Sequence, residues 1–241
     1  MTNPENFLLI MAMLDEALPI INKQNLQYIG KLKNPFTIEH YSGKIESMQV
    51  NLLVNGKCNV YGVDQIGTQA STLSTYLGAE AFKPSLIINA GTAGGFLWDK
   101  AKIGDTYLGY PKVCYHDRRI NLPRFKEYGF GYFPTYDCRT IAKELGLRIG
   151  VITTGNSLDF TDKDIELIKE NRGVVKDMEA ASIAWVANQL GIAYVGIKTI
   201  TDIVDGSIAT EDEFIMNLKL ASHNLAEETA EVISWLATNK H

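Results

Sequence analysis

Short apolar runs alternate along the chain with stretches whose apolar residues recur at helical spacing. The runs are almost uniformly apolar, which is typical of strands that are covered on both faces. They are Phe7–Met13, Met48–Val54, Ser85–Ala90, Thr106–Val113, Arg148–Thr154 and Ile192–Thr201. This alternation predicts an α/β fold with a central mixed sheet flanked by helices. Because no linker interrupts the 241 residues, we expect residues 1–241 to form a single domain.

The clearest helical pattern lies in Glu179–Leu190, where the apolar positions form one stripe and Gly191 is placed to end the helix. Thr210 and Glu213 have the spacing of a capping box, which predicts a long C-terminal helix reaching about Leu236.

Two further segments complete this picture. Thr161 is expected to cap a shorter helix in the same way as Thr210. The segment Asp117–Tyr136 is rich in aromatic residues, contains two Pro and two Gly, and fits neither the helix nor the strand period. A loop of this length in a compact domain is often functional.

Composition excludes several classes of protein. The net charge of −5 and the lack of a basic stripe argue against a nucleic-acid or anionic-membrane partner. No apolar run approaches the ~20 residues of a membrane span. Cys58, Cys114 and Cys138 are scattered, and neither they nor the four His have metal-ligand spacing. We therefore expect no metal site and no disulfide framework, and a cytoplasmic protein.

Polar residues follow several of the predicted strands. Asp15 and Glu16 come after the first strand, Gly91–Gly95 after Ser85–Ala90, and Asp202 after Ile192–Thr201, while Asp177–Glu179 precedes a predicted helix. In open α/β sheets, ligands bind beyond the carboxyl ends of the strands. We expect these segments to gather at one edge of the sheet and to form a small-molecule site there.

The Gly-rich segment Gly91–Gly95 has two possible interpretations. It could cradle a phosphate or simply form a tight turn between strands. It is not GxGxxG and lacks the GK[ST] of a P-loop, so neither a dinucleotide nor a nucleoside triphosphate is indicated. Its glycines would let the backbone approach a ligand closely, and Thr92 adds a hydroxyl.

The carboxylates are more informative. Burial at the end of an apolar strand would raise the pKa of Asp202 and keep it protonated, as a general acid requires. Glu16 could orient a water as a base. Either acid alone is also what a helix first turn or a strand-ending turn commonly carries. The pair is the stronger signal, because two carboxylates in unlike environments can supply an acid and a base to one site.

Six short motifs, taken in order, resemble one family. The chain is similar to the purine nucleoside phosphorylase superfamily, specifically to its 5′-methylthioadenosine/S-adenosylhomocysteine nucleosidase branch. The HDRR, GNSLD and ITDIVDG segments resemble the plant-type form. The matching motifs are MAMLDEALP (Met11–Pro19), NAGTAGGF (Asn89–Phe96), YHD (Tyr115–Asp117), TTGNSL (Thr153–Leu158), KDMEAASIAWVANQLGI (Lys176–Ile192) and KTITDIVDG (Lys198–Gly206).

The resemblance implies a nucleoside phosphorylase-like fold, a nucleoside substrate, no cofactor and a set of residue roles. Glu16 matches the carboxylate that activates water, and Asp202 matches the acid that protonates adenine N7. Glu179 matches the carboxylate that grips the ribose hydroxyls, with Met178 packed on the sugar. Thr92 stands where a Ser is usual, near Asp202 and the base.

The remaining implied contacts are apolar. Leu158 falls where an aromatic ring often stacks on adenine, and Phe214 matches a ring that lines the thio-substituent pocket. Met13 and Val63 match side chains beside the sugar and sulfur. Ile120 and Pro123 fall in a loop that a neighbouring subunit lends to the site, so the resemblance also implies a homodimer.

Departures from the family pattern leave the substrate range open. They are Leu158 in place of an aromatic residue, Asp159 after it, Lys198 where many bacterial members have Arg, and Asp177 in place of Glu. The alternatives are a nucleosidase for another purine compound such as futalosine, a phosphorylase of the same fold, and a non-catalytic storage protein.

The phosphorylase alternative is disfavoured at two positions. Asn89 stands where nucleoside phosphorylases have a phosphate-binding Arg, and residues 11–16 contain no cation. Arg118, Arg119 and Arg124 remain as possible phosphate ligands from a neighbouring subunit.

Overall fold

The fold consists of one mixed sheet with helices on both faces. A computed structural model describes residues 6–239, and within them ten strands and seven α-helices form. The strands are β1 (Asn6–Met11), β2 (Gln27–Lys31), β3 (Glu39–Ile45), β4 (Met48–Val54), β5 (Leu86–Gly95), β6 (Thr106–Tyr115), β7 (Phe133–Pro134), β8 (Arg148–Thr154), β9 (Gly173–Asp177) and β10 (Ala193–Ile203). The helices are α1 (Leu14–Lys23), α2 (Thr68–Phe82), α3 (Phe125–Phe130), α4 (Arg139–Leu145), α5 (Asp162–Glu170), α6 (Ala180–Leu190) and α7 (Thr210–Thr238).

The strands follow the order β10-β6-β8-β9-β5-β1-β4-β3-β2, and β7 pairs with β6. Because β10 also pairs with β5, the strands β5, β9, β8, β6 and β10 close into a ring. The pairs β1–β4, β1–β5 and β5–β10 are parallel, whereas β5–β9 and β6–β10 are antiparallel. The α/β prediction with a central mixed sheet is confirmed, although nothing in the sequence pattern indicated the closed ring.

Strand β1 shows why the predicted strands are so uniformly apolar. Phe7 and Leu9 pack with α1 and α7 on one face of the sheet. Leu8 and Ile10 pack with α2 and α6 on the other. All four side chains are fully buried, and each contributes about 1.5–3 kcal/mol through its burial. Helix α1 begins directly after the strand, so its first turn lies at the carboxyl end of β1.

Three details of the predicted helices are confirmed. Thr161 caps α5 in a capping box with Asp164. Gly191 follows the end of α6 with φ of +67°, in the left-handed region that favours glycine. The C-terminal helix forms as predicted and ends at Thr238. No helix within residues 6–239 is long and apolar enough to cross a membrane.

Three predictions of local structure are wrong. Thr210 is the first residue of α7 rather than its cap, and Glu213 accepts a hydrogen bond from the backbone N of Ile203, at 2.7 Å, instead of closing a capping box. The long segment Asp117–Tyr136 is not wholly irregular, because it contains α3 and β7. The strand predicted as Phe7–Met13 also ends earlier, at Met11, because Met13 caps α1.

The Gly-rich segment is part of a strand rather than a tight turn. Gly91–Gly95 forms the second half of β5, which is one of the strands of the ring. It pairs with β10 on one side and with β9 on the other. A Cβ on Gly95 would lie 2.6 Å from Ala101 Cβ, so glycine is needed there for close packing. The local pattern could not show this, because the neighbouring strands come from distant parts of the sequence.

Candidate active site

A pocket opens where β1, β5, β9 and β10 meet the first turns of α1, α6 and α7. Most of the predicted site residues are brought together here. The predicted residues in its wall are Met13, Glu16, Thr92, Leu158, Met178, Glu179, Asp202 and Phe214. The wall is completed by Ala12, Ile66, Ala93, Gly94, Lys176, Asp177, Thr201 and Thr210. The expectation that the strand-end segments share one edge of the sheet is therefore confirmed.

Glu16 lies in the first turn of α1 and is only 3% exposed. Its Oε1 accepts hydrogen bonds from Thr92, at 2.7 Å from the backbone N and 2.5 Å from Oγ1. Burial raises the pKa of Glu16, and the Thr92 hydrogen bonds and the charge of Lys198 oppose that rise. The carboxyl group is thus held in one orientation in a pocket where it can accept a proton. Thr92 is placed by the structure against Glu16, whereas the family resemblance had put it near Asp202.

Asp202 follows an irregularity in β10. The register with β5 shifts between Ile200 and Asp202, which is the effect of a β-bulge and re-aims the side chains around it. Asp202 Oδ1 accepts a hydrogen bond from Thr201 Oγ1 at 2.8 Å. Burial raises the pKa of Asp202, opposed by the Thr201 hydrogen bond and the charge of Lys176. The sequence-based expectation of a raised pKa is confirmed.

Gly94 explains how Asp202 finds room beside the pocket. It pairs directly with Asp202, and a Cβ at this position would lie 2.7 Å from Asp202 Oδ2 and 2.5 Å from Val204 Cγ2. Any side chain here would displace the acid. Glycine at this position therefore leaves space for the acid.

Glu179 precedes α6, and its Oε1 accepts a hydrogen bond from the backbone N of Gly67 at 2.9 Å. Its Oε2 lies 4.0 Å from Nζ of Lys198, which is fully buried. Burial raises the pKa of Glu179 to about 7, and the charge of Lys198 opposes the rise. Glu179 is thus a carboxyl group whose charge depends on a neighbouring cation.

Lys198 and Asp177 form the buried ion pair that supports this arrangement. Lys198 Nζ lies 2.9 Å from Asp177 Oδ2. Asp177 also accepts hydrogen bonds from Thr154 Oγ1, at 2.5 Å, and from the backbone N of Ala180, at 2.8 Å. A buried pair of this kind is tolerated only when its remaining polar atoms are satisfied. Both residues depart from the family pattern, and the resemblance implied no role for them, although a charged residue inside the apolar run Ile192–Thr201 is a sequence signal of a buried ion pair.

Three predicted contact residues do not line this pocket. Val63 is 60% exposed, and Ile66, three residues later, occupies the wall instead. Ile120 and Pro123 lie between β6 and α3, where Ile120 is half-buried and Pro123 is exposed. The latter two were expected to serve a neighbouring subunit, so their absence from their own chain's pocket does not test that expectation.

The polar surroundings of the pocket connect three loops. Asn156 Oδ1 accepts hydrogen bonds from the backbone N and Oγ1 of Thr68, at 3.0 and 2.9 Å. The backbone N of Asn156 donates to Asp117 Oδ2 at 2.8 Å. Asn156 thereby links the segment that carries Leu158 to the start of α2. Gly67, which precedes α2, is the residue that donates a hydrogen bond to Glu179.

Comparison with known proteins gives a consistent result over almost the whole chain. A family model described as the phosphorylase superfamily matches residues 6–234. A 5′-methylthioadenosine/S-adenosylhomocysteine nucleosidase of Arabidopsis thaliana is 39% identical over 232 residues, covering 95% of this chain and 90% of the relative. A 5′-methylthioadenosine nucleosidase of the same plant is also 39% identical, covering 94% of this chain and 85% of the relative.

Solved structures agree with the sequence comparisons. The apo structure of the Arabidopsis thaliana 5′-methylthioadenosine nucleosidase has a TM-score of 0.95 at 37% identity, covering 99% of this chain and 98% of the other. The futalosine hydrolase of Helicobacter pylori has a TM-score of 0.79 at 20% identity, covering 95% of this chain and 97% of the other, and therefore shares the fold.

Proposed function

Because the chain belongs to the phosphorylase superfamily and, within it, to the 5′-methylthioadenosine/S-adenosylhomocysteine nucleosidases, we propose that it hydrolyses the N-glycosidic bond of 5′-methylthioadenosine. The products are adenine and 5-methylthioribose, and S-adenosylhomocysteine is the second candidate substrate. The observation that carries the proposal is the presence of two buried carboxyl groups with raised pKa values, Glu16 and Asp202, in one pocket.

Asp202 acts on the leaving base. Breaking the bond between C1′ and N9 leaves the bonding electrons on adenine, and a proton from Asp202 to N7 neutralises that charge. The raised pKa keeps Asp202 protonated closer to neutral pH than an exposed Asp would be. Gly94 has no side chain that would displace the acid from this position.

Glu16 and Glu179 act on the sugar side. As the water oxygen bonds to C1′, its proton passes to Glu16, whose orientation is fixed by Thr92. Glu179 accepts hydrogen bonds from the ribose hydroxyls, and its negative charge favours the oxocarbenium-like sugar. The charge of Lys198 opposes the effect of burial on the pKa of Glu179 and so favours the ionised form. Met178 and Met13, which line the pocket, pack against the sugar and the sulfur, with Phe214 around the thio-substituent and Leu158 against the base.

Water, not phosphate, is the nucleophile in this proposal. Lys176 is the one cation in the pocket wall within residues 6–239, and its ammonium already donates to two carbonyl groups. Asn89 carries no charge, and its Nδ2 already donates a hydrogen bond to the backbone O of Ile10, at 3.2 Å. Arg119 is paired with Asp164. Glu16 and Glu179 would repel a doubly charged anion in this poorly solvated space.

The substrate is tested by incubating the protein with 5′-methylthioadenosine, S-adenosylhomocysteine and futalosine and separating the products by chromatography. We expect adenine release from methylthioadenosine. Release of hypoxanthine from futalosine without adenine release from the thionucleosides would replace the proposal with a futalosine hydrolase. The absence of turnover on all three compounds would support a non-catalytic binding protein.

Replacing Glu179 by Gln removes the charged acceptor without changing its size. Charge-assisted hydrogen bonds contribute about 1.5–3 kcal/mol, so we expect kcat/KM for methylthioadenosine to fall roughly ten- to hundredfold. The wild-type protein should also cleave the 2′-deoxy analogue poorly, and the variant should discriminate less between the two. Glu170→Gln, a change in an exposed ion pair with Lys126, is the control. Equal cleavage of the deoxy analogue by the wild type would remove Glu179 from this role.

A homodimer completes the pocket in our proposal. Exposed apolar side chains occur in two segments, one around residues 60–66, where Ile66 lines the pocket, and one in the loop that includes α3. Val60 and Tyr61 are each 80% exposed, and Leu122 is 59% exposed. A second copy covering these surfaces would place Ile120 and Pro123 near its partner's sugar site. Exposed apolar side chains that cluster in this way are typical of interfaces.

Charged substitutions test the dimer. We expect Val60→Asp and Leu122→Asp to give monomers in sedimentation and to lose most adenine release, because each pocket would lack its partner's loop. Leu220→Asp, at a comparably exposed position on α7, should change neither property. A monomeric variant with wild-type turnover would contradict the proposal that the loop serves a neighbouring subunit.

We place the protein in the cytoplasm. Cys58, Cys114 and Cys138 all carry free thiols, and Cys114 and Cys138 are buried. Free thiols persist in a reducing compartment. Fractionation of the source cells with a cytosolic marker is the direct measurement.

A further inference from the structure

Lys176 is a buried cation in the pocket wall to which neither the resemblance nor the mechanism above gives a role. It lies on β9 and is 5% exposed. Its Nζ donates two hydrogen bonds, each of 2.8 Å, to the backbone carbonyls of Ser157 and Leu158. These two residues belong to an exposed segment between β8 and α5 that is outside regular structure. One buried side chain therefore holds the part of that segment which reaches the pocket.

The sheet places Lys176 and Asp202 on opposite sides of the same glycine. Gly94 pairs with Asp202 on β10 and with Lys176 on β9. Residues directly opposite each other on neighbouring strands project from the same face of a sheet, and neighbouring strands are about 4.8 Å apart. The Cα atoms of the two residues are thus roughly 10 Å apart, and the Asp202 carboxyl group lies close over Gly94, where a Cβ would be 2.7 Å from Oδ2. Both line the pocket.

Resting on the proposed function, we infer that Lys176 is a positioning residue for the reaction. It fixes the Ser157–Leu158 backbone against the leaving base and supplies the positive charge that faces Asp202 across Gly94. A flat ring bound over Gly94 has the acid at one side and the ammonium and the segment it anchors at the other. The base is then held in place while Asp202 delivers its proton.

The charges around Lys176 and Asp202 determine how a substitution of Lys176 changes the pKa of Asp202. The charged groups that act on Asp202 are Lys176 and Glu213, with the charge of Lys176 lowering and that of Glu213 raising the pKa of Asp202. Lys176 itself has a pKa lowered by burial and raised by four carboxylates, which are Asp202, Asp177, Asp159 and Asp164. Removing the ammonium leaves Asp202 with burial and Glu213, both of which favour its protonated form. The pKa of Asp202 must then rise.

The test compares Lys176→Met and Lys176→Gln, which are neutral, with Lys176→Arg, which keeps the charge. Turnover with a general acid is lost as pH rises through the pKa of that acid. We expect both neutral variants to move the alkaline limb of kcat/KM for methylthioadenosine upward by roughly half a pH unit or more. We also expect their KM to rise at least fivefold, since the Ser157–Leu158 segment is released. Lys176→Arg should keep the wild-type limb, and Lys163→Met, at an exposed position, is the control.

Two results would overturn the inference. One is a wild-type alkaline limb in a folded neutral variant, and the other is the same upward shift in Lys176→Arg. A loss of stability alone changes neither limb, and circular dichroism identifies it. Calorimetric titration with adenine separates this inference from the proposed function. If the wild type binds adenine but turns over no thionucleoside, the proposed function fails. If, in addition, a neutral Lys176 variant binds adenine as tightly as the wild type, the positioning role of Lys176 is also wrong.

Discussion

Asp202→Asn should retain the fold and lose about 10²- to 10⁴-fold in turnover of methylthioadenosine, the usual contribution of a general acid. Asn fits the same space beside Gly94 and can still accept a hydrogen bond from Thr201, so binding should suffer much less than chemistry. It has no proton to deliver to N7. Steady-state adenine release and the midpoint of thermal unfolding, measured on the same preparation, provide the check.

The pH dependence sharpens this prediction. Burial raises the pKa of Asp202, and the acid is active when protonated, so the wild type should lose turnover as pH rises through that raised value. Asp202→Asn should lack this alkaline limb. Asp205→Asn is the matched control, because Asp205 accepts a hydrogen bond from the backbone N of Leu97 outside the pocket, which Asn can also do. Near-wild-type turnover in Asp202→Asn would remove Asp202 from the role of acid.

Glu16→Gln should also reduce turnover by about 10²- to 10⁴-fold, because the amide cannot take the proton of the attacking water. The Thr92 hydroxyl and backbone N can still donate to the amide oxygen, so the pocket should keep its shape. KM should therefore change little while kcat falls. Stopped assays over hours, with adenine detected by chromatography, give the sensitivity that such a loss demands.

Asp15→Asn is the matched control for Glu16, since Asp15 is the adjacent carboxylate on the same helix and is exposed. It should retain wild-type kcat and KM. A comparable loss in both variants would mean that the negative charge of the α1 first turn matters rather than proton acceptance by Glu16. Unchanged kcat in Glu16→Gln would show that another group activates the water.

Features that depend on short stretches of sequence were predictable. The apolar runs located most of the strands that carry the site, and Met48–Val54 and Arg148–Thr154 have the predicted bounds. Strand-end position brought Glu16 and Asp202 to one pocket, because β1, β5 and β10 are parallel and deliver their carboxyl ends to the same edge. Glu179 lies in the same pocket although it follows β9, which is antiparallel to β5. The assignment of roles to them came from the family resemblance and awaits the experiments above.

Features that depend on distant parts of the chain were not predictable. Gly91–Gly95 looked like a loop because glycine weakens a strand, yet three strands crowd together there and exclude side chains. Lys198 on β10 and Asp177 on β9 are distant in sequence, and only the closed ring of strands brings them into contact. The capping box predicted for Thr210 and Glu213 was wrong because their spacing is only a local signal. The hydrogen-bond partner of Glu213 is the backbone N of Ile203, which lies outside the helix.

In our proposal the pocket directs water to C1′ of an adenine thionucleoside. The decisive experiment follows adenine release from methylthioadenosine in a phosphate-free buffer and then adds phosphate. We expect full activity without phosphate, no change on its addition, and free 5-methylthioribose as the sugar product. Absolute dependence on phosphate, with a 5-methylthioribose 1-phosphate product, would contradict it.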